Sequence, residues 1–205
     1  MKRAAIGVRM HSGWGALVAV CLDGGKVEII ERRRIVVIDA ASVGAKQPYH
    51  FAKDLEISRA EKFIETCSAS SRGLATAVIR DLLAELSVRK YRVKGAAVVL
   101  ASGRPLPPLA KILAAHPLLH TAEGQFFREV FAKACESCDL PVIGIRERDL
   151  DERIQKTFRT GAARIRRQVS EQRRVIGAPW TADQKLAGLA ALLVLGGGSA
   201  PFTLG

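Results

Sequence analysis

The chain is 205 residues long, 48 % hydrophobic and 5 % aromatic, and it carries a net charge of +12. That hydrophobic share excludes general disorder and suits one domain with a sizeable core. No apolar run approaches the roughly 20 residues that cross a bilayer, and the first residues lack the apolar core of a secretory signal, so a cytoplasmic protein without a membrane partner is expected.

Residues 4–9 and 15–22 read as two strands. The turn between them, in "GVRMHSGWGALVAV", carries Arg9, His11, Ser12 and Trp14 beside two glycines, Gly13 and Gly15. "DGG" at 23–25 is a tight-turn signal, and 26–39 continues as a third strand. Residues 40–57 show no clean period and read as a loop holding Pro48, Tyr49, His50 and Phe51. Ser58 followed by Glu61 has capping-box spacing, and apolar positions from 63 to 86 fit one long helix or two, with a break at 70–73. The unbroken apolar run 94–102 suits a strand covered on both faces.

A short helix is expected at 109–115 and a longer one from about Thr121. That start places His120 just before the helix, Glu123 in its first turn and Arg128 about one and a half turns further on. Residues 140–145 form a second buried strand, and 148–174 form a very basic helix. Thr181 is the N-cap of a last apolar helix, 181–195, whose scarcity of polar positions means either full burial or a homodimer surface. One domain therefore spans 1–195, followed by a loose tail at 196–205. The four cysteines suggest no disulfide framework, and Cys135 with Cys138 in "CESC" supplies only two metal ligands.

The charge makes a polyanionic partner plausible, whether nucleic acid, a nucleotide or an acidic surface, beside the plainer reading of solvated Lys and Arg. It gathers at 31–34, 89–94 and 163–174. In the last of these, Arg164, Arg166, Arg167, Arg173 and Arg174 repeat at helical spacing and are the candidate nucleic-acid contacts.

The element order is three hairpin-connected strands, then helix, strand, helix, strand and closing helices. With the segments "IGVRMHSGWGALVAV", "AAVVLASGRPLPP" and "ADQKLAGLAALLVL", it resembles the ribonuclease H-like superfamily, in particular the branch of the Holliday-junction resolvases. The resemblance implies an α/β fold: a mixed sheet of three antiparallel strands followed by two parallel ones, with helices on both faces. It also implies acids from the first strand, the fourth strand and a late helix that hold two divalent metals. Here Arg9 stands near the first acid position, Ala101 and Ser102 end the fourth strand, and only Asp183 matches. One carboxylate opposite an arginine suits magnesium poorly. No cofactor is predicted and standard two-metal nuclease chemistry is not expected; a divalent metal on Glu123, Asp183 and a histidine is the remaining, unsupported alternative.

In such a fold the ends of the first and fourth strands share one cleft. Arg9, His11, Ser102, Arg104 and Asp183 would line it, joined by His120, Glu123 and Arg128. Arg9, His11, Arg104 and His120 would present positive charge and donors to a phosphate or carboxylate. Structural roles compete: an ion pair from Arg9 to Glu123 or Asp183, a core-capping Trp14, and a dipole-offsetting Glu123 or Asp183. The leading expectation is a non-catalytic nucleic-acid-binding module. The alternatives are an enzyme of altered phosphate-directed or hydrolytic chemistry, with His11 or His120 as general base beside Glu123, and an assembly subunit.

Overall fold

A computed structural model describes residues 1–101 and 105–197. Its strands are β1 (Lys2–His11), β2 (Trp14–Asp23), β3 (Lys26–Val36), β4 (Tyr91–Leu100) and β5 (Val142–Arg146). The helices are α1 (Pro48–Ala52), α2 (Ile57–Val88), α3 (Leu109–Leu113), α4 (His116–Glu136), α5 (Leu150–Phe158), α6 (Ala162–Glu171), α7 (Arg173–Ile176) and α8 (Ala182–Leu195). The sheet order is β3-β2-β1-β4-β5. The first three strands pair antiparallel, and β4 runs parallel to both β1 and β5. This is the expected mixed sheet.

Side chains alternate across a strand, so β1 feeds two cores at once. Ile6 and Val8 point with Leu17 toward Ile79, Leu82, Phe127 and Phe131 of α2 and α4. Ala5 faces the other way, with Val18 and Val20, toward Ala187, Ala191 and Leu192 of α8 and Ile165 and Val169 of α6. α5 completes that second layer with Leu150 and Ile154 against Ala97, Val99 and Ile145. The apolar character of α8 is thus explained by burial: Ala187, Ala190, Ala191, Leu192 and Leu193 are fully enclosed and provide no dimer face. Gly7 permits the close approach of α8, since a Cβ there would lie 1.8 Å from the Ala187 carbonyl oxygen.

Several boundaries differ from the sequence reading. The presumed loop 40–57 contains α1, and β3 stops at Val36 rather than at 39. α2 is continuous through 70–73, because a mid-helix glycine costs only about 1 kcal/mol and nothing crowds Gly73. Its N-cap is Glu56, without a side-chain cap, and the Ser58 hydroxyl donates to the Glu56 carboxylate at 2.9 Å instead of forming a capping box. α4 begins at His116, one turn early, with Pro117 in its first turn where no N–H partner is needed. The basic segment 148–174 is interrupted: a 3-10 turn at Arg159–Gly161 follows α5, and Arg159 has φ +48°. At α8 the expectation holds, with Thr181 and Gln184 forming a reciprocal capping box.

Candidate functional site

Parallel pairing brings the carboxyl ends of β1, β4 and β5 to one edge of the sheet. The capped N-terminus of α8 meets them there. Asp183, in the first turn of α8, sits where the helix dipole favours a negative charge. Its Oδ1 forms an ion pair with Arg9, 2.9 Å from Nε, and its Oδ2 lies 2.9 Å from His11 Nε2. Arg9 Nη1 donates in turn to the carboxylate of Glu147, which follows β5 directly. The Arg9 guanidinium therefore joins two carboxylates that come from different parts of the chain.

The hairpin turn supports this group. The His11 ring stacks on Trp14 at 4.3 Å with a 12° tilt, and the Arg34 guanidinium lies 4.0 Å over the Trp14 ring. Stacking and cation–π contact each contribute about 0.5–1.5 kcal/mol and fix the imidazole orientation. Trp14 is only half-buried and serves this stack rather than the core. On α4, the half-buried Arg128 is pulled below its ordinary pKa, first by burial and then by the neighbouring Arg9 charge, with Glu129 opposing both. Two cationic side chains thus share this edge.

Two magnesium ions need several hard oxygen ligands and little competing positive charge. Here the guanidinium of Arg9 binds both Asp183 and Glu147, so the donor set among the described residues does not fit such a centre.

His120 and Glu123 belong to a separate cluster. Because α4 starts at His116, His120 lies inside the helix and Glu123 in its interior, 2 % exposed, not in the first turn. Glu123 Oε1 accepts the backbone N–H groups of Tyr49 at 2.9 Å and His50 at 3.1 Å, and faces His50 Nδ1 at 3.2 Å. It thereby caps α1 rather than offsetting its own helix dipole. Its Oε2 is buried without a hydrogen-bond partner. Burial pushes this carboxyl above its ordinary pKa, and the contacts from His50 and Tyr49 pull against that. His120 Nε2 lies 3.0 Å from His116 Nε2. Among the described residues no hydrogen bond or ion pair links His120 or Glu123 to Arg9 or His11. Ser102 and Arg104 lie outside the described residues.

Much of the clustered positive charge is committed internally. Arg32 donates to the carbonyls of Ile176 at 2.8 Å and Gly177 at 3.0 Å, and also to that of Pro179. Arg33 pairs with Glu85 at 2.6 Å and Glu31 at 3.1 Å, and Arg89 donates to the Ile30 carbonyl at 2.6 Å. Of the candidate contacts on α6 and α7, Arg166 folds onto Asp151 at 2.6 Å. Arg164, Arg167, Arg173 and Arg174 are exposed, and none pairs with a carboxylate among the described residues. Arg164 sits beside Gly25 in the β2–β3 turn, at the opposite end of the sheet from Gly13. Arg164 therefore lies by the β2–β3 turn, away from the turn that carries His11 and Trp14.

Sequence reasoning missed Glu147, His50 and His116. The sequence distance from Arg9 to Glu147 hides their pairing. The signal for His116 was present: "HPLLH" puts two histidines one helical turn apart, with the proline of a first turn between them.

The chain is similar in structure to RuvC of Thermus thermophilus, with a TM-score of 0.53 and 13 % identity, covering 97 % of this chain and 99 % of that one. A structure of T. thermophilus RuvC in complex with a Holliday junction substrate aligns with a TM-score of 0.49 and 12 % identity, covering 93 % of this chain and 90 % of that one. No protein-family model matches the chain, and no curated protein matches it in sequence. The likeness to the first of these structures establishes a ribonuclease H-like fold.

Proposed function

We propose that this ribonuclease H-like chain is a nucleic-acid-binding module that does not cleave its ligand. The observation that carries the reading is the Arg9 guanidinium held between Asp183 and Glu147 at the strand ends. A fixed cation replaces an exchangeable one there. It offsets the charge of one of the two acids and Arg128, close by, offsets the other, so a polyanion meets less repulsion at this edge than two free acids would give. The exposed arginines of α6 and α7 and the net charge of +12 supply a wider field for a polyanion. Aromatic residues are only 5 % of the chain, so phosphate contact outweighs base stacking.

The test is fluorescence anisotropy with labelled single-stranded, duplex and four-way-branched DNA and RNA at low and moderate salt, alongside a cleavage assay in Mg2+. Binding should weaken steeply with salt, because each neutralised phosphate contributes about 0.9 to the logarithmic slope on duplex DNA. No strand scission should appear. Absence of binding at low salt, or magnesium-dependent cleavage that Asp183→Asn abolishes, would overturn the reading.

A further inference from the structure

We infer that His50, His116 and His120 form a binding site for a first-row transition-metal dication of the zinc class, with Glu123 as the residue that orients it. Three of the chain's four histidines meet here, and their nearest ring nitrogens all lie within 4.8 Å of one another. The fourth, His11, is engaged with Asp183 and Trp14. The cluster is separate from the Arg9 group and stands independently of the nucleic-acid reading.

The backbone explains how the three rings converge. His116, His120 and Glu123 are spaced by four and then three residues along α4, so they share one face of the helix. His50 comes from α1, whose position is fixed because Glu123 Oε1 accepts two N–H groups of that helix. The same oxygen faces His50 Nδ1 at 3.2 Å. With the carboxylate as acceptor, this contact takes a proton on Nδ1, and Nε2 of a neutral ring is then free to ligate. A carboxylate behind a ligating imidazole is the arrangement that sets ring tautomer and raises ligand basicity in metal sites.

Spacing and chemistry agree. Zn–N bonds of about 2.0–2.1 Å at a tetrahedral centre place ligand nitrogens roughly 3.3 Å apart. The Nε2 atoms of His116 and His120 are 3.0 Å apart, so both can reach one ion with small rotations. Three neutral imidazoles exclude magnesium and calcium, which take oxygen ligands, and favour zinc and its neighbours. His116 and His120 are solvent-exposed and His50 half-buried, so an ion has an entry path and a fourth position open to water. The buried, unpartnered Glu123 Oε2 adds negative charge that a bound dication would offset.

The test uses the untagged chain, stripped with chelator and dialysed. Titration with Co2+ should produce the intense visible bands of a four-coordinate nitrogen site at one equivalent, and Zn2+ should bleach them. His116→Ala/His120→Ala should remove the bands and weaken zinc binding at least 100-fold, whereas His11→Ala should leave both unchanged. Glu123→Gln should weaken zinc binding about 10–100-fold with the stoichiometry kept. Affinity should fall on acidification, because protons compete with the metal for the ligand nitrogens. Circular dichroism checks folding. Should the buried Glu123→Gln variant fail to fold, the single variant of exposed His120→Asn decides. The absence of one-to-one binding in the native chain, or binding that survives loss of His120, overturns the site.

Discussion

Removing the Arg9 side chain tests whether a guanidinium holds the strand-end site in place of a metal. In Arg9→Ala, Asp183 and Glu147 lose their shared cation. The Arg9–Asp183 contact is 2.9 Å with each side chain 28 % exposed, which places it between two limits. An exposed pair contributes about 0–1 kcal/mol, and breaking a fully buried one costs about 3–5 kcal/mol. Solvent screening at this exposure, and the remaining contact from His11 to Asp183, bring the expected loss to about 1–2 kcal/mol. For a domain of this length, each kcal/mol lowers Tm by about 2–4 °C, so a drop of roughly 2–8 °C should appear in thermal denaturation without divalent ions. The same variant leaves two carboxylates facing one gap. Mg2+ should now bind there, and at 100 times its Kd it would restore about 2.7 kcal/mol. The native protein should show no such magnesium response. If the variant melts with the native protein, or if Mg2+ raises both Tm values equally, Arg9 is not the organising cation.

Four further outcomes follow from other parts of the molecule. Gly7→Ala should destabilise the fold by about 3 kcal/mol or more in urea denaturation, because the added methyl meets the Ala187 backbone; Gly73→Ala, in open space on α2, should stabilise it by about 0.5–1 kcal/mol. Arg173→Ala/Arg174→Ala should lower the salt slope of nucleic-acid binding by about 2, with equal effect on all sequences. Burial pushes the Tyr49 phenol from 10.0 up to about 12. The stability it contributes is complete below pH 10 and lost as pH rises through about 12, so Tyr49→Phe should flatten the alkaline limb of a stability–pH curve.

The sheet was legible because its signals are local. Period-two patterning, the glycines at the two hairpin turns and the buried run of β4 each act within a few residues, as does the Thr181 cap. The Arg9–Asp183 pair was among the alternatives the sequence allowed, since the fold resemblance brought β1 and α8 together. Glu147 was not, because nothing near it in the chain marks it as a partner for Arg9. The error at Glu123 arose from a boundary: starting α4 one turn late turned an interior carboxylate into a first-turn one. α1, only five residues long, has no period to read, and its anchor on Glu123 lies over 70 residues away. Charge was misleading in a similar way. Runs such as "ERRR" look like solvated surface, yet Arg32 and Arg33 tie β3 to α7 and α2.

The contact at Gly7 has a mechanical meaning as well. With no side chain between them, β1 and α8 touch backbone to backbone, and the helix is seated like a bolt in a slot. Asp183 at one end of that helix is therefore held at a fixed reach from Arg9 on the strand. A ligand that competed for the guanidinium would act by turning side chains, because at Gly7 the strand and helix meet with no side chain between them. If phosphate binds as proposed, the site would respond by exchange of partners: a phosphate that took Arg9 from Asp183 or Glu147 would leave a free carboxylate behind.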